Sequence, residues 1–141
     1  MTQRLIISCA FAFVSFCNDA KKPIDEDFAR LYDDATQGLN DAALALEHAE
    51  KPNVVASALD KIYQTQVNMK TRGTELEKLH GVHLRAGLPP QLEGKKYDFQ
   101  RALQRAFSPK SQAVIQKYAE TPEVSAALKR IIQLSHPSQK R

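Results

Sequence analysis

Four histidines, two cysteines and one Glu-x-x-His pair are the side chains of this 141-residue sequence whose types and spacing could support chemistry. Glu77 and His80 stand three residues apart, which puts a carboxylate and an imidazole on one helix face, and His83 follows about one turn later. Imidazole and carboxylate together suit a divalent metal, so Glu77, His80 and His83 are the candidate metal ligands. A di-iron carboxylate site needs a second such pair and two further inward glutamates, and the sequence supplies one pair. The competing reading of the same residues is a solvated helix end, where histidine meets the C-terminal dipole. His-Glu-x-x-His and Gly-x-Ser-x-Gly are both absent, and no acid, base and nucleophile converge in the sequence, so the expectation is a protein without a catalytic site.

The two cysteines, Cys9 and Cys17, lie within or at the end of an apolar run from Leu5 to Phe16, which Arg4 precedes and Asn18, Asp19, Lys21 and Lys22 follow. That layout predicts a cleaved export signal over residues 1–20, the run being shorter than the roughly 20 residues a spanning helix needs. Cleavage after Cys17 or after Ala20 both fit. Cys17 is also a candidate for lipidation, although Phe16 stands where a lipoprotein signal normally has a small residue. A chain cut after Cys17 has no thiol, which excludes disulfides, Cys-ligated zinc, iron–sulfur clusters, a cysteine nucleophile and covalent haem attachment.

Helices must position whatever remains. The stretches 24–51 and 53–88 contain no proline. In the first, Phe28, Ala35, Ala42 and Ala49 recur every seven residues beside Leu31, Tyr32, Leu39, Ala45 and Leu46. In the second, Val55, Ile62, Met69 and Leu76 form the row, flanked by Ala58, Leu59 and Leu79. The joint Glu50-Lys51-Pro52-Asn53 is short enough to fold the two back as an antiparallel hairpin, with either Asn53 as a cap or Pro52 in the first turn. His80-Gly81 through Glu93-Gly94 reads as a connection. A third helix follows with Tyr97, Phe99, Leu103, Ala106 and Phe107 inward. Ser108-Pro109 and Thr121-Pro122 each read as a cap and first-turn proline, opening short helices with Val114, Ile115 and Tyr118, then Val124, Leu128, Ile131 and Ile132, on their apolar sides. The fold class is therefore all-α: an antiparallel four- to five-helix bundle over residues 21–135, with a polar tail at 136–141.

Charge is unevenly distributed. Residues 25–50 carry eight acidic side chains against Arg30 alone, whereas residues 81–141 carry eleven Lys and Arg against Glu93, Asp98, Glu120 and Glu123. Oppositely charged helices that pair internally account for this most simply. The alternative is a face for an anionic partner built on Arg101, Arg105, Lys110, Lys117, Lys129 and Arg130. Export takes the chain away from nucleic acid, which leaves a protein or an anionic envelope component as partner and a lipid anchor as the route to a membrane.

Leu39-Asn40-Asp41, Leu46-Glu47 and Ala49, followed by Val55, Ala58-Leu59 and Lys61, make the hairpin resemble the first two helices of the soluble periplasmic cytochrome b family. The resemblance covers about a third of the chain and implies an exported four-helix bundle that holds a non-covalent haem between a methionine of the first helix and a histidine of the last. Thr36 stands at the position of that methionine, and the last helix has no histidine before His136. Met69 reads as a gap-filling core residue. The resulting expectation is an exported, non-catalytic binding module of the periplasm or cell envelope with no cofactor; the alternative is a haem- or metal-carrying bundle.

Overall fold

The computed structural model describes residues 22–82 and 89–136, which form five α-helices and, among the described residues, no strand. They are α1 (Lys22–Glu47), α2 (Pro52–His80), α3 (Pro90–Ala106), α4 (Pro109–Tyr118) and α5 (Pro122–Ser135). The expected export segment 1–20, with Cys17, lies outside the described residues, as do His83 and the tail beyond His136.

Proline opens four of these helices, at Pro52, Pro90, Pro109 and Pro122, where its fixed φ suits the first turn and its missing N–H costs nothing. Pro52 thus starts α2, and Asn53 is not its cap. Ser108 caps α4 by accepting a hydrogen bond from the Ser111 amide. Thr121 does not cap α5 in this way, because its hydroxyl donates backwards to the Tyr118 carbonyl at 2.7 Å. Gly81 ends α2 at φ 63°, a left-handed conformation that glycine adopts without penalty, and both its amide and that of Val82 donate to the Glu77 carbonyl.

α1 is the central helix, packed against α2 on one flank and α3 on the other, and α5 lies against α2. The order of side-chain pairs gives the directions: Gln91, Lys95 and Arg105 meet Asp25, Asp33 and Glu47 in ascending order, so α3 runs parallel to α1. Tyr118 donates to the Glu50 carbonyl at 2.8 Å and Arg130 pairs with Asp60, so α5 starts at the α1–α2 turn and runs parallel to α2. The short α4 crosses that end of the bundle.

Buried alanines sit on every long helix, among them Ala42 and Ala43, Ala56 and Ala58, Ala102 and Ala106, and Ala127, and they let the backbones approach closely around Leu39, Leu46, Val55, Leu59, Ile62 and Val124. At the far end Phe28, Leu31 and Leu92 form a second cluster with Met69 and Leu76 packed on it, consistent with Met69 as filler. α1 and α2 approach closely at Gly38, where a Cβ would lie 2.8 Å from Thr65 Oγ1.

Three expected core residues are exposed: Leu79 at 73%, Tyr97 at 60% and Ile132 at 57%. At about 100° per residue, Tyr97 lies about 200° round α3 from the inward Phe99, and Ile132 lies about 100° from Ile131. A row of seven-residue steps drifts about 20° per heptad in a straight helix, and Leu79, beyond the last step of its row, falls off the packed face. α3 also begins earlier than the sequence suggested, at Pro90 rather than after Gly94. Burying Leu92 is worth about 1.5–3 kcal/mol, which outweighs the roughly 1 kcal/mol that Gly94 costs inside a helix.

Candidate functional site

Six of the seven acidic side chains of α1 lie in two rows, one along each edge of its buried stripe, and Glu26 is exposed. Asp27, Asp34 and Asp41, seven residues apart, face α2 and meet His80 at 3.2 Å, Arg72 at 4.0 Å and Lys61 at 2.9 Å in antiparallel order. Along the other edge Asp25 accepts from Gln91 at 2.6 Å, Asp33 from Lys95 at 2.6 Å, and Glu47 receives Arg105 through Nε and Nη2, each at 3.1 Å. That bidentate hydrogen bond holds the Glu47 carboxyl below the usual carboxylate range and raises Arg105. Tyr32 in the core has its phenol pKa raised by burial. Much of the acidity of α1 is thus matched by side chains of α2 and α3 along the surface edges of the helix contacts.

His80 is not on a solvated helix end. Its side chain is 12% exposed, its Nε2 lies 3.2 Å from Asp27 Oδ2, and its ring packs on Phe28 at a centroid distance of 6.2 Å. Glu77, half-buried one turn earlier, shares the end of α2, but among the described residues no three of His, Cys, Asp and Glu come together as a metal would require. His83 and Cys17, the other residues of the metal and lipid readings, fall outside the described residues. Thr36, which holds the position of the family methionine, faces α3 at the edge of a cleft, and His136 is the residue after α5.

The six basic residues are dispersed. Arg105 is held by Glu47 and Arg130 by Asp60. Arg101 lies over the Tyr97 ring at 5.8 Å and Lys117 over Tyr118 at 5.1 Å. Lys110, on the first turn of α4, contributes to the field at Glu47, and Lys129 is exposed on α5.

Two of the six come together with other polar groups. Arg101 and Arg105, one turn apart on α3, line an open cleft of about 370 Å³ with Asp98 on the same helix and with Thr36 and Asn40 on α1. The sequence reading missed Asp98, Thr36 and Asn40 here. The signal was the i, i+3, i+7 spacing of Asp98, Arg101 and Arg105, which places all three along one side of a helix. A second groove, of about 400 Å³, runs between α1 and α2 over Ala42, Ala45 and Ala58, and a smaller one of about 110 Å³ adjoins Met69.

The described residues thus form an all-α helical bundle with a polar cleft between the central helix and α3. Compared with models of protein families, with curated proteins and with solved structures, the chain shows no match.

Proposed function

We propose that this is an exported, non-catalytic binding module of the periplasm or cell envelope that engages an anionic envelope component or an acidic protein. The observation that carries the reading is the division of its charges. Asp41, Asp34, Asp33 and Glu47 of α1 pair with Lys61, Arg72, Lys95 and Arg105, while Arg101, Lys110, Lys117 and Lys129 are exposed, form no ion pair among the described residues, and are available to a partner. The apolar run 5–16 with its polar flank supports export, with a lipid anchor on Cys17 as the alternative mode of attachment. Among the described residues no helix is long and apolar enough to cross a membrane.

Co-sedimentation with anionic and with neutral liposomes at low and high salt tests the proposal. Binding to the anionic surface alone is expected, and it weakens as the Debye length falls from about 10 Å at 0.1 M to about 3 Å at 1 M. Replacing Lys110, Lys117 and Lys129 together by Glu should abolish it. Binding that is tight and indifferent to salt would overturn the charge-based reading.

A further inference from the structure

We infer that the cleft between α1 and α3 binds a hydroxylated carboxylate, an acidic sugar unit of an envelope polymer or glycan. This inference rests on the envelope-binding reading and gives it a site.

The cleft is lined by both donors and acceptors, more than a bare anion needs. Arg105 is oriented before any ligand arrives: Glu47 takes its Nε–H and one Nη2–H, which leaves the remaining N–H groups of a fixed planar fork. Arg101, one turn earlier, lies over the Tyr97 ring at 5.8 Å and forms no ion pair among the described residues, so its guanidinium is the one in the cleft that remains open to a carboxylate. Asn40 offers both an amide donor and a carbonyl acceptor, and Thr36 a hydroxyl that does both. Asp98 forms no ion pair among the described residues and is an acceptor only.

Charge balance narrows the ligand further. Glu47 offsets Arg105, and Asp98 adds a carboxylate to the cleft lining beside Arg101, so a phosphate dianion would meet a repelling charge in its path. A monocarboxylate bearing hydroxyl groups fits both ends: the carboxylate on Arg101, and the hydroxyls donating to Asp98 while accepting from Asn40 and Arg105. A mixed set of donors and acceptors is what the hydroxyls of a sugar ring require, since each both donates and accepts. The exposed Tyr97, one residue before Asp98 on α3, adds an aromatic surface near the cleft for the C–H side of an adjoining unit. The cleft volume of about 370 Å³ lies within the range of small-ligand sites, about 300–1,000 Å³.

NMR titration of the full chain with a galacturonic acid trimer, a neutral galactose trimer and inorganic phosphate tests the inference, with amide shifts followed in α1 and α3. The acidic trimer should shift residues 36–47 and 97–105, and bind at least about tenfold more tightly than the neutral one, the worth of one charge-assisted hydrogen bond. Arg101→Gln and Asn40→Ala each should weaken it by about tenfold, with the circular dichroism of the fold unchanged. Asp98→Ala is decisive in sign. It should weaken the acidic trimer, because a hydroxyl acceptor is lost, yet strengthen inorganic phosphate, because a repelling charge is removed. If Asp98→Ala strengthens both ligands, or phosphate binds wild type as well as the trimer does, the cleft is a bare anion site and the inference falls. If anionic liposomes still bind at wild-type strength while the acidic trimer leaves the cleft amides unshifted, the cleft assignment fails and envelope binding stands. Loss of both together removes both.

Discussion

The pair of Glu47 and Arg105 shows how a single contact carries both structure and a measurable pH dependence. Glu47 has a folded-state pKa below its value in the unfolded chain, so it stabilises the fold above the ordinary glutamate range, near 4.3, and this contribution is lost as the pH falls through the lower, folded value. Urea unfolding of wild type and Glu47→Gln at pH 6, 5, 4 and 3 should therefore show a difference that shrinks towards zero with acid; a constant difference would assign the effect to packing. The core residues Leu39 and Ile62, both fully buried, report packing in isolation, and truncating either to Ala should cost about 2–5 kcal/mol in the same assay. His80 behaves as part of that interior. With its ring against Phe28 and its Nε2 on Asp27, His80→Ala should lower the thermal midpoint, and an unchanged midpoint would return it to the solvated surface.

Among the elements, the α1–α2 hairpin is where small side chains matter most. Two helix glycines make opposite predictions from the same substitution. Gly94 has nothing within 4 Å of an added Cβ, so Gly94→Ala should stabilise by about 0.5–1 kcal/mol through helix propensity and the unfolded state. At Gly38 the added Cβ would sit 2.8 Å from Thr65 Oγ1, and the hairpin must spread or Thr65 must turn away from the Lys61 carbonyl that it now meets at 2.8 Å. Gly38→Ala should therefore destabilise, and adding Thr65→Ala should restore stability; chemical denaturation of the three variants reads the order. A single variant at Gly38 as stable as Gly94→Ala would mean that α1 and α2 are not in close contact there.

For the molecule as a whole, length differences between the helices set the shape. α2, at 29 residues, is about 43 Å long, whereas α5, at 14 residues, is about 21 Å, so one end is a four-helix layer closed by α4 and the other has α1, α2 and α3 around Phe28, Leu31 and Leu92. The formal net charge of the sequence is +4, and a salt titration of partner binding reads the basic side chains at the contact rather than this total. Export has its own test: intact mass of the protein recovered from cells should give a chain beginning between Asn18 and Lys21, or a lipidated Cys17. A chain retaining Met1 would overturn it.

The sequence by itself determined the helices and most of their buried faces. Proline positions mark where four of the five helices begin, Gly81 marks the end of α2, and the apolar rows from Phe28 to Leu46 and from Val55 to Ile62 point inward, because helix periodicity and backbone restriction are local properties. The excess of acid in α1 was equally plain, and the seven-residue spacing of Asp27, Asp34 and Asp41 was there to be read. Which cation each acid would meet was not. Pairing of Asp27 with His80, or of Glu47 with Arg105, depends on antiparallel and parallel register between helices dozens of residues apart, and register is set by how Gly38, Thr65 and the alanine-lined interfaces fit together. The cleft belongs to that second class: Asp98, Arg101 and Arg105 share a side of α3 by spacing alone, but only packing against α1 places Thr36 and Asn40 opposite them.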